Sequence, residues 1–246
     1  LGSLFIVISW TVWSVFLPLT LIGVNGYSAS KASLALIALS IGSAIGANFF
    51  GNLIGNPRMY LPVSITGFSV VGISMVISGY TNLEINFNYM LLLALFVGFG
   101  STGAFSAYTV PIQNNLPEER LAIITTSLQF SRVFGISLGS SLLGVILLLN
   151  MNTYDYDSPR KEIYDPDNIA SVEKIKEIKN FYLESNLSTS QFEEDLAISR
   201  NNLKNGLKIV YYSASITAIF GIIISIYIFR KINLLQLEEE DSKQNE

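Results

Sequence analysis

The chain has 246 residues, a formal net charge of -4, no cysteine and no histidine; 50% of its residues are hydrophobic, 14% are charged and the mean hydropathy is +0.45. Such a balance excludes an ordinary soluble domain and points to an integral membrane protein. Without cysteine or histidine there are no disulfides, thiol nucleophiles, Ser-His triads or histidine-based metal sites, so no enzyme, metal centre or cofactor is expected.

A helix crosses the roughly 30 Å hydrocarbon layer in about 20 residues. Apolar runs of that length predict six spans, and the first covers Leu4 to Val24. It is too long for a signal-peptide core and lacks a basic leader. Because Leu1 sits at its edge, the chain is expected to be part of a longer protein. Trp10 and Trp13 lie mid-span with Ser14 beside them, deeper than the usual interfacial belt. They offer an aromatic wall to an apolar or cationic compound, or they pack between helices or against lipid. Pro18 predicts a bend in the outer part of this span.

The second span is expected from Ala32 to Ile54 and the third from Leu61 to Gly79. Gly42 and Gly46, Gly51 and Gly55, and later Gly135 and Gly139 have the G-x-x-x-G spacing that lets helix backbones approach closely. Asn48 is read as a polar group bonding across helices. The fourth span, Tyr89 to Val110, places Thr102, Ser106, Thr109 and Gln113 on one face and Ser101, Phe105 and Tyr108 on the next. Hydroxyls beside aromatics suit a broad apolar pocket with a few polar anchors; alternatively the hydroxyls bond between helices.

The fifth span, Ala122 to Leu149, contains Arg132, the only charged side chain inside any predicted span. A charge at bilayer depth costs roughly 2.5–3.5 kcal/mol even on lenient insertion scales, so it faces a protein interior or a watery cavity. Arg132 follows Arg120 by 12 residues, about 18 Å of helix, which sets it near the bilayer centre. Gln129 lies one turn earlier, with Thr125 on much the same face. Two readings stay open for Arg132. It lines a central cavity and meets an anionic substrate group or a carboxylate from elsewhere, or it ties neighbouring helices together through backbone carbonyls.

Residues 151–208 form a hydrophilic insert. Ile169, Val172, Ile175, Ile178 and Tyr182 recur at helical spacing behind Asp167 and Asn168 as candidate caps; Phe192, Leu196, Leu203 and Leu207 follow Ser190 and Glu193, which have capping-box spacing. Short amphipathic helices are expected, as a solvated hairpin resting on the external face or, alternatively, as a binding lid. The sixth span is Ile209 to Phe229. The organisation is therefore residues 1–150 with spans one to five, 151–208 as an extracytoplasmic loop, 209–230 as span six, and 231–246 as a cytoplasmic acidic tail whose end is expected to be disordered. Arg58, Arg120, Arg230 and Lys231 mark one side against Lys31 on the other, which predicts a multi-pass cell-membrane protein with both ends of the chain cytoplasmic.

Gly98, Gly100, Gly103 and Pro111, then Pro117-Glu118-Glu119-Arg120, then Arg132-Val133-Phe134-Gly135 with Gly139 and Gly144, resemble the C-terminal half of a major facilitator superfamily transporter, in its 14-spanning branch of drug:proton antiporters. Gly26-Tyr27-Ser28-Ala29 and the long insert before the last span fit the same branch. The stretch from Gly51 to Arg58 departs from the family's charged loop motif, leaving Arg58 as its one charge. The resemblance implies an all-α membrane protein, a six-helix bundle that is one half of a major facilitator fold with a long, partly helical external loop. It implies substrate bound between two halves near mid-membrane, the other half being an N-terminal bundle of six to eight helices. Every Asp and Glu falls outside the predicted spans, so a proton-coupling acid is expected in that other half.

The expected function is efflux of small apolar or cationic compounds by alternating access. Arg132, Gln129, Trp10, Trp13, Thr102, Phe105 and Tyr108 are the candidates for the cavity wall. The alternative is a non-transporting six-span module acting in assembly or partner binding. No phosphate-binding loop accompanies these features. Lipid is an expected partner and nucleic acid is not.

Overall fold

The computed structural model describes residues 2–81, 83, 86–114, 118–151, 160–185 and 187–244, without the side chains of 118, 119 and 232–244. Pro117 and the side chains of Glu118 and Glu119 from the family-like motif, and those of the acidic tail, lie outside this set. All regular structure among the described residues is helical: α1 Gly2–Val24, α2 Ala29–Leu53, α3 Tyr60–Tyr80, α4 Phe87–Asn114, α5 Glu118–Leu149, α6 Arg160–Ile163, α7 Pro166–Ile169, α8 Val172–Glu184 and α9 Thr189–Gln244. Six of them, α1 to α5 and α9, are long and apolar enough to cross a membrane.

Helix α1 is not a regular α-helix. Val12–Phe16 and Thr20–Val24 are π-helical turns on either side of Pro18. Proline brings no N–H and its ring crowds the carbonyl four residues back. The ladder loosens in response: Leu17 N–H donates to Val12 O, five residues back, and the Thr20 hydroxyl donates to Phe16 O at 2.8 Å.

The helices pack in pairs that exchange. Helix α2 lies along α4, and α1 lies along α5; α3 lies against α4, and α1 against α9; α3 and α9 pack on each other. Taking α1–α3 as one triplet and α4, α5 and α9 as another, each of the first two contacts maps onto its partner when the triplets are interchanged. That pattern is the one expected of two repeated three-helix units.

Glycines make the two equivalent seams close. A side chain at Gly46 would meet Phe99 O at 2.7 Å, and one at Gly98 would meet Ser43 N at 2.8 Å, so α2 and α4 touch backbone to backbone. On the other seam, Gly135 and Gly139 of α5 face Val7 and Ile8 of α1 at 3.2 Å. The pair Gly51 and Gly55 behaves otherwise: Gly51 has nothing within 4 Å and Gly55 meets only its own turn. Hydroxyls bond across the interfaces of α9 with α1 and α3, Ser9 to Thr217 at 2.7 Å and Ser64 to Ser225 at 2.8 Å. Asn48 bonds Ala44 O on its own helix, not a neighbour.

The insert is a folded cap. Ile163, Ile169, Ile178, Tyr182, Phe192 and Leu203 are buried together, and the α7 end and Leu203 close over Gly23 at the tip of α1. Its caps differ from those read in the sequence. Asp165 caps α7 and Ser171 caps α8, where Asp167 and Asn168 were expected. The capping box is Ser188 with Gln191, not Ser190 with Glu193: Gln191 N donates to Ser188 Oγ at 3.2 Å and Ser188 N to Gln191 Oε1 at 2.9 Å. Starting two residues earlier adds half a turn to the helix while keeping Phe192 inside the cap. The expected break between a cap helix and span six is also absent, since α9 runs through both and continues as helical backbone to Gln244, where an unstructured tail was expected.

Candidate functional site

A cavity of about 340 Å³ opens between α1, α2, α4 and α5, with no wall from α3 or α9. Ile6, Val7 and Trp10 line it from α1, Ser43 from α2, Ser101, Thr102 and Phe105 from α4, and Arg132 and Ile136 from α5. The wall is mostly apolar with a few polar anchors, the composition typical of small-molecule sites.

Arg132 stands with its Cζ 3.9 Å from the centroid of the Phe105 ring. Among the described residues its guanidinium has no hydrogen-bond acceptor and no ion-pair partner. The ring face stabilises the cation but leaves the in-plane N–H donors unfilled. Arg132 and Ile136, one turn apart, are aimed inward because α5 is clamped to α1 through Gly135 and Gly139 on the adjoining face.

The three hydroxyls are oriented by one backbone group. Ser101 and Thr102 each donate to Gly98 O at 3.0 Å, and Ser43 reaches the same carbonyl at 3.3 Å and Leu39 O at 3.0 Å. Each hydroxyl hydrogen is thereby committed to the backbone, and the oxygens retain only acceptor capacity. Gly98 makes this possible: lacking Cβ, it lets α2 come close enough for Ser43 to share its carbonyl.

The structure brings Trp10, Thr102, Phe105 and Arg132 to one pocket and leaves the other three candidates outside it. Trp13 is fully buried against α9, edge-on to Tyr211 at 6.0 Å, and its Nε1 has no hydrogen-bond partner among the described residues. The π-helical turn beginning at Val12 changes the helical step between the two tryptophans, so they do not form one wall. Tyr108 is turned away: its hydroxyl meets Ser225 Oγ at 2.6 Å and its ring lies 5.5 Å from Phe229. The pocket face of α4 runs through Thr102 and Phe105, and Tyr108 falls past its edge toward α9. Gln129 is exposed and does not line the cavity. Ser43 escaped the sequence reading altogether; only the α2–α4 seam, inferable from Gly42, Gly46 and Gly98 together, would have pointed to it.

No family model matches the chain. Two uncharacterized MFS-type transporters of Mycobacterium tuberculosis, from strains CDC 1551 / Oshkosh and H37Rv, are each 23% identical to it over 137 residues, covering 54% of the chain. The chain is similar to MFS-type transporters. The match spans 19% of the length of each of these relatives. Helices of membrane-spanning length and this similarity together indicate a multi-pass membrane protein.

Proposed function

We propose that the chain forms a six-helix half of a major facilitator-type secondary transporter, and that the cavity around Arg132 is this half's share of an alternating-access pathway. The observation carrying this reading is the origin of the pocket residues. They come from α1, α2, α4 and α5, the first two helices of each repeated triplet, while the third helices, α3 and α9, pack behind. Carriers built from inverted repeats bind substrate near the membrane midplane at such a junction, and Arg132 has the matching depth.

In this reading a second bundle covers the open side of the pocket. The exposed apolar rows beside it, Ile37, Ile41 and Ile45 on α2 and Phe130, Val133 and Phe134 on α5, fit burial by lipid or by that bundle. The branch proposed is the 14-spanning drug:proton antiporters, exporting small and largely apolar compounds. The apolar stretches of the described membrane helices carry no carboxylate, since Glu193, Glu194 and Asp195 of α9 lie ahead of its apolar run, so in this reading the coupling acid belongs to the other half. The insert faces outward and both ends of this chain face the cytoplasm, as the arginines at 58, 120 and 230 favour.

The test is gradient-driven flux in proteoliposomes bearing the whole protein. Imposing a proton gradient should drive uphill movement of a lipophilic probe, and Phe105→Ala should reduce the rate at unchanged protein abundance. Flux insensitive both to the gradient and to Phe105→Ala would overturn the proposal.

A further inference from the structure

The pocket holds a cation with no counter-charge. Arg132 offers five N–H donors in a planar fork, and among the described residues none of them is answered by a carboxylate or a carbonyl. Its neighbours do not supply what is missing. Ser43, Ser101 and Thr102 have spent their hydrogens on Leu39 O and Gly98 O, and Ile6, Val7 and Ile136 are apolar.

Two further features bear on ligand charge. The Phe105 ring, one of the two aromatic side chains in the lining with Trp10, is already covered by the guanidinium at 3.9 Å. A cationic ligand would find that face taken and would meet a like charge with no carboxylate in the lining to offset it. An anion meets the reverse: an unfilled fork, exposed at the open side of the pocket and set beside an apolar wall, able to make charge-assisted hydrogen bonds.

We infer that the pocket selects a small organic anion, a carboxylate carried on an apolar aromatic body, with the carboxylate on the Arg132 fork and the body against Trp10 and Ile6. The inference rests on the transporter reading, in which this cavity is a substrate site, and it departs from the cationic substrates that the family resemblance suggests. The rival is a fixed carboxylate from the rest of the carrier, which would fill the fork permanently.

The experiment measures equilibrium binding of radiolabelled 2-naphthoate to the whole protein in nanodiscs. Competitors are unlabelled 2-naphthoate and a naphthalene of similar size bearing a trimethylammonium group. The expected result is saturable binding, with the ammonium compound at least tenfold weaker as a competitor. Arg132→Gln should weaken naphthoate binding at least tenfold, and Arg132→Lys should restore part of it, since the charge returns without the fork. Phe105→Leu, which keeps the guanidinium, should leave the preference for the anion in place.

Failure to bind naphthoate in the wild-type protein, equal competition by the ammonium compound, or unchanged binding in a correctly assembled Arg132→Gln protein would each overturn the inference. If the glutamine variant does not assemble, the lysine variant and the competition series carry the decision. Flux in proteoliposomes separates the two levels. Gradient-driven transport of another compound that naphthoate does not inhibit would sink the anion assignment and leave the carrier standing. Naphthoate that binds but is never moved under any imposed gradient would leave the anion pocket and remove the carrier.

Discussion

Two arginines in this molecule live in opposite circumstances. Arg160, in the cap, grips Asp195 with Nε at 2.8 Å and Nη2 at 2.7 Å, while Tyr164 and Tyr182 each donate a further hydrogen bond to the same carboxylate at 3.0 Å. Arg132, in the membrane pocket, has a phenyl ring for company and nothing else among the described residues. A fully answered charge has no capacity left for a ligand and serves to hold helices together. An unanswered one at bilayer depth is costly to the fold, and under the reading proposed above it is where a ligand from outside the chain would bind. The cap is thus the built structure and the pocket the unfinished one.

The largest expected effect lies beneath the pocket. Gly98→Leu would drive a side chain into the backbone of α2 at Leu39 and Ser43, and the protein should fail to accumulate in the membrane. Gly51→Leu, at a position with nothing within 4 Å, should accumulate normally; immunoblots of membrane fractions compare the two. Equal abundance would mean that the α2–α4 seam is not the scaffold of the site.

Next comes the cap. Asp195→Ala removes the carboxylate that Arg160, Tyr164 and Tyr182 share. With the Arg160 side chain 39% exposed and that of Asp195 2% exposed, the loss should fall at the lower end of the roughly 3–5 kcal/mol typical of breaking a buried pair. Hydrogen exchange should accelerate in α8 and the start of α9 while α2 and α4 keep their protection. Asp195 lies in the charged part of α9, ahead of its apolar run. Burial pushes its carboxyl up, but hydrogen bonds from Arg160, Tyr182 and Tyr164 outweigh that and hold it below the usual 3.8. Its stabilisation is therefore fully present above that value and is lost as pH falls through the lower, folded-state value. Burial, reinforced by the Asp195 contact, raises the Tyr182 phenol above its ordinary 10.0, so that contribution is present below pH 10 and is lost as pH rises past it. Exchange protection in the cap should accordingly be level from pH 5 to 9 and weaken only beyond the two ends. A drop near pH 6 would contradict this assignment.

A charge swap across the two regions sharpens the contrast. Arg132→Gln should cost about tenfold or more in flux, some 1.4 kcal/mol, at normal abundance. Arg160→Gln should loosen the cap with flux little changed. The opposite pattern would exchange their roles. The smallest effect belongs to Ser188→Ala, which removes one half of the capping box and should destabilise the start of α9 by ~1 kcal/mol, seen as local fraying in the same exchange experiment.

The parts of the fold that were legible in the sequence are those with one physical solution. Twenty apolar residues in a row have little choice but to be helical in lipid, so five of the six spans were found within a few residues of their observed bounds, and the sixth within α9. The site was legible where a single residue was out of place. Arg132 announced itself by charge, and Thr102 and Phe105 by lying on neighbouring helix faces that set hydroxyls beside aromatics. Trp13 and Tyr108 were misdirected for a common reason. Helix-face arithmetic assumes a regular helix and ignores what stands beside it, and here a π-turn altered one helix while Ser225 and Phe229 on α9 claimed the other side chain.

From the residues alone follow the number of crossings, the position of the one charge within them and the lack of any acid to balance it, because transfer into lipid is decided residue by residue. Tertiary structure decided the rest: that α2 meets α4 and α5 meets α1, that Ser43 joins the pocket, that Ser188 and not Ser190 starts the last helix, and that among the described residues Asp195 is answered while Arg132 is not. These depend on which surfaces come into contact across long separations in sequence, and contact, unlike hydropathy, is not a property that any one stretch of chain possesses.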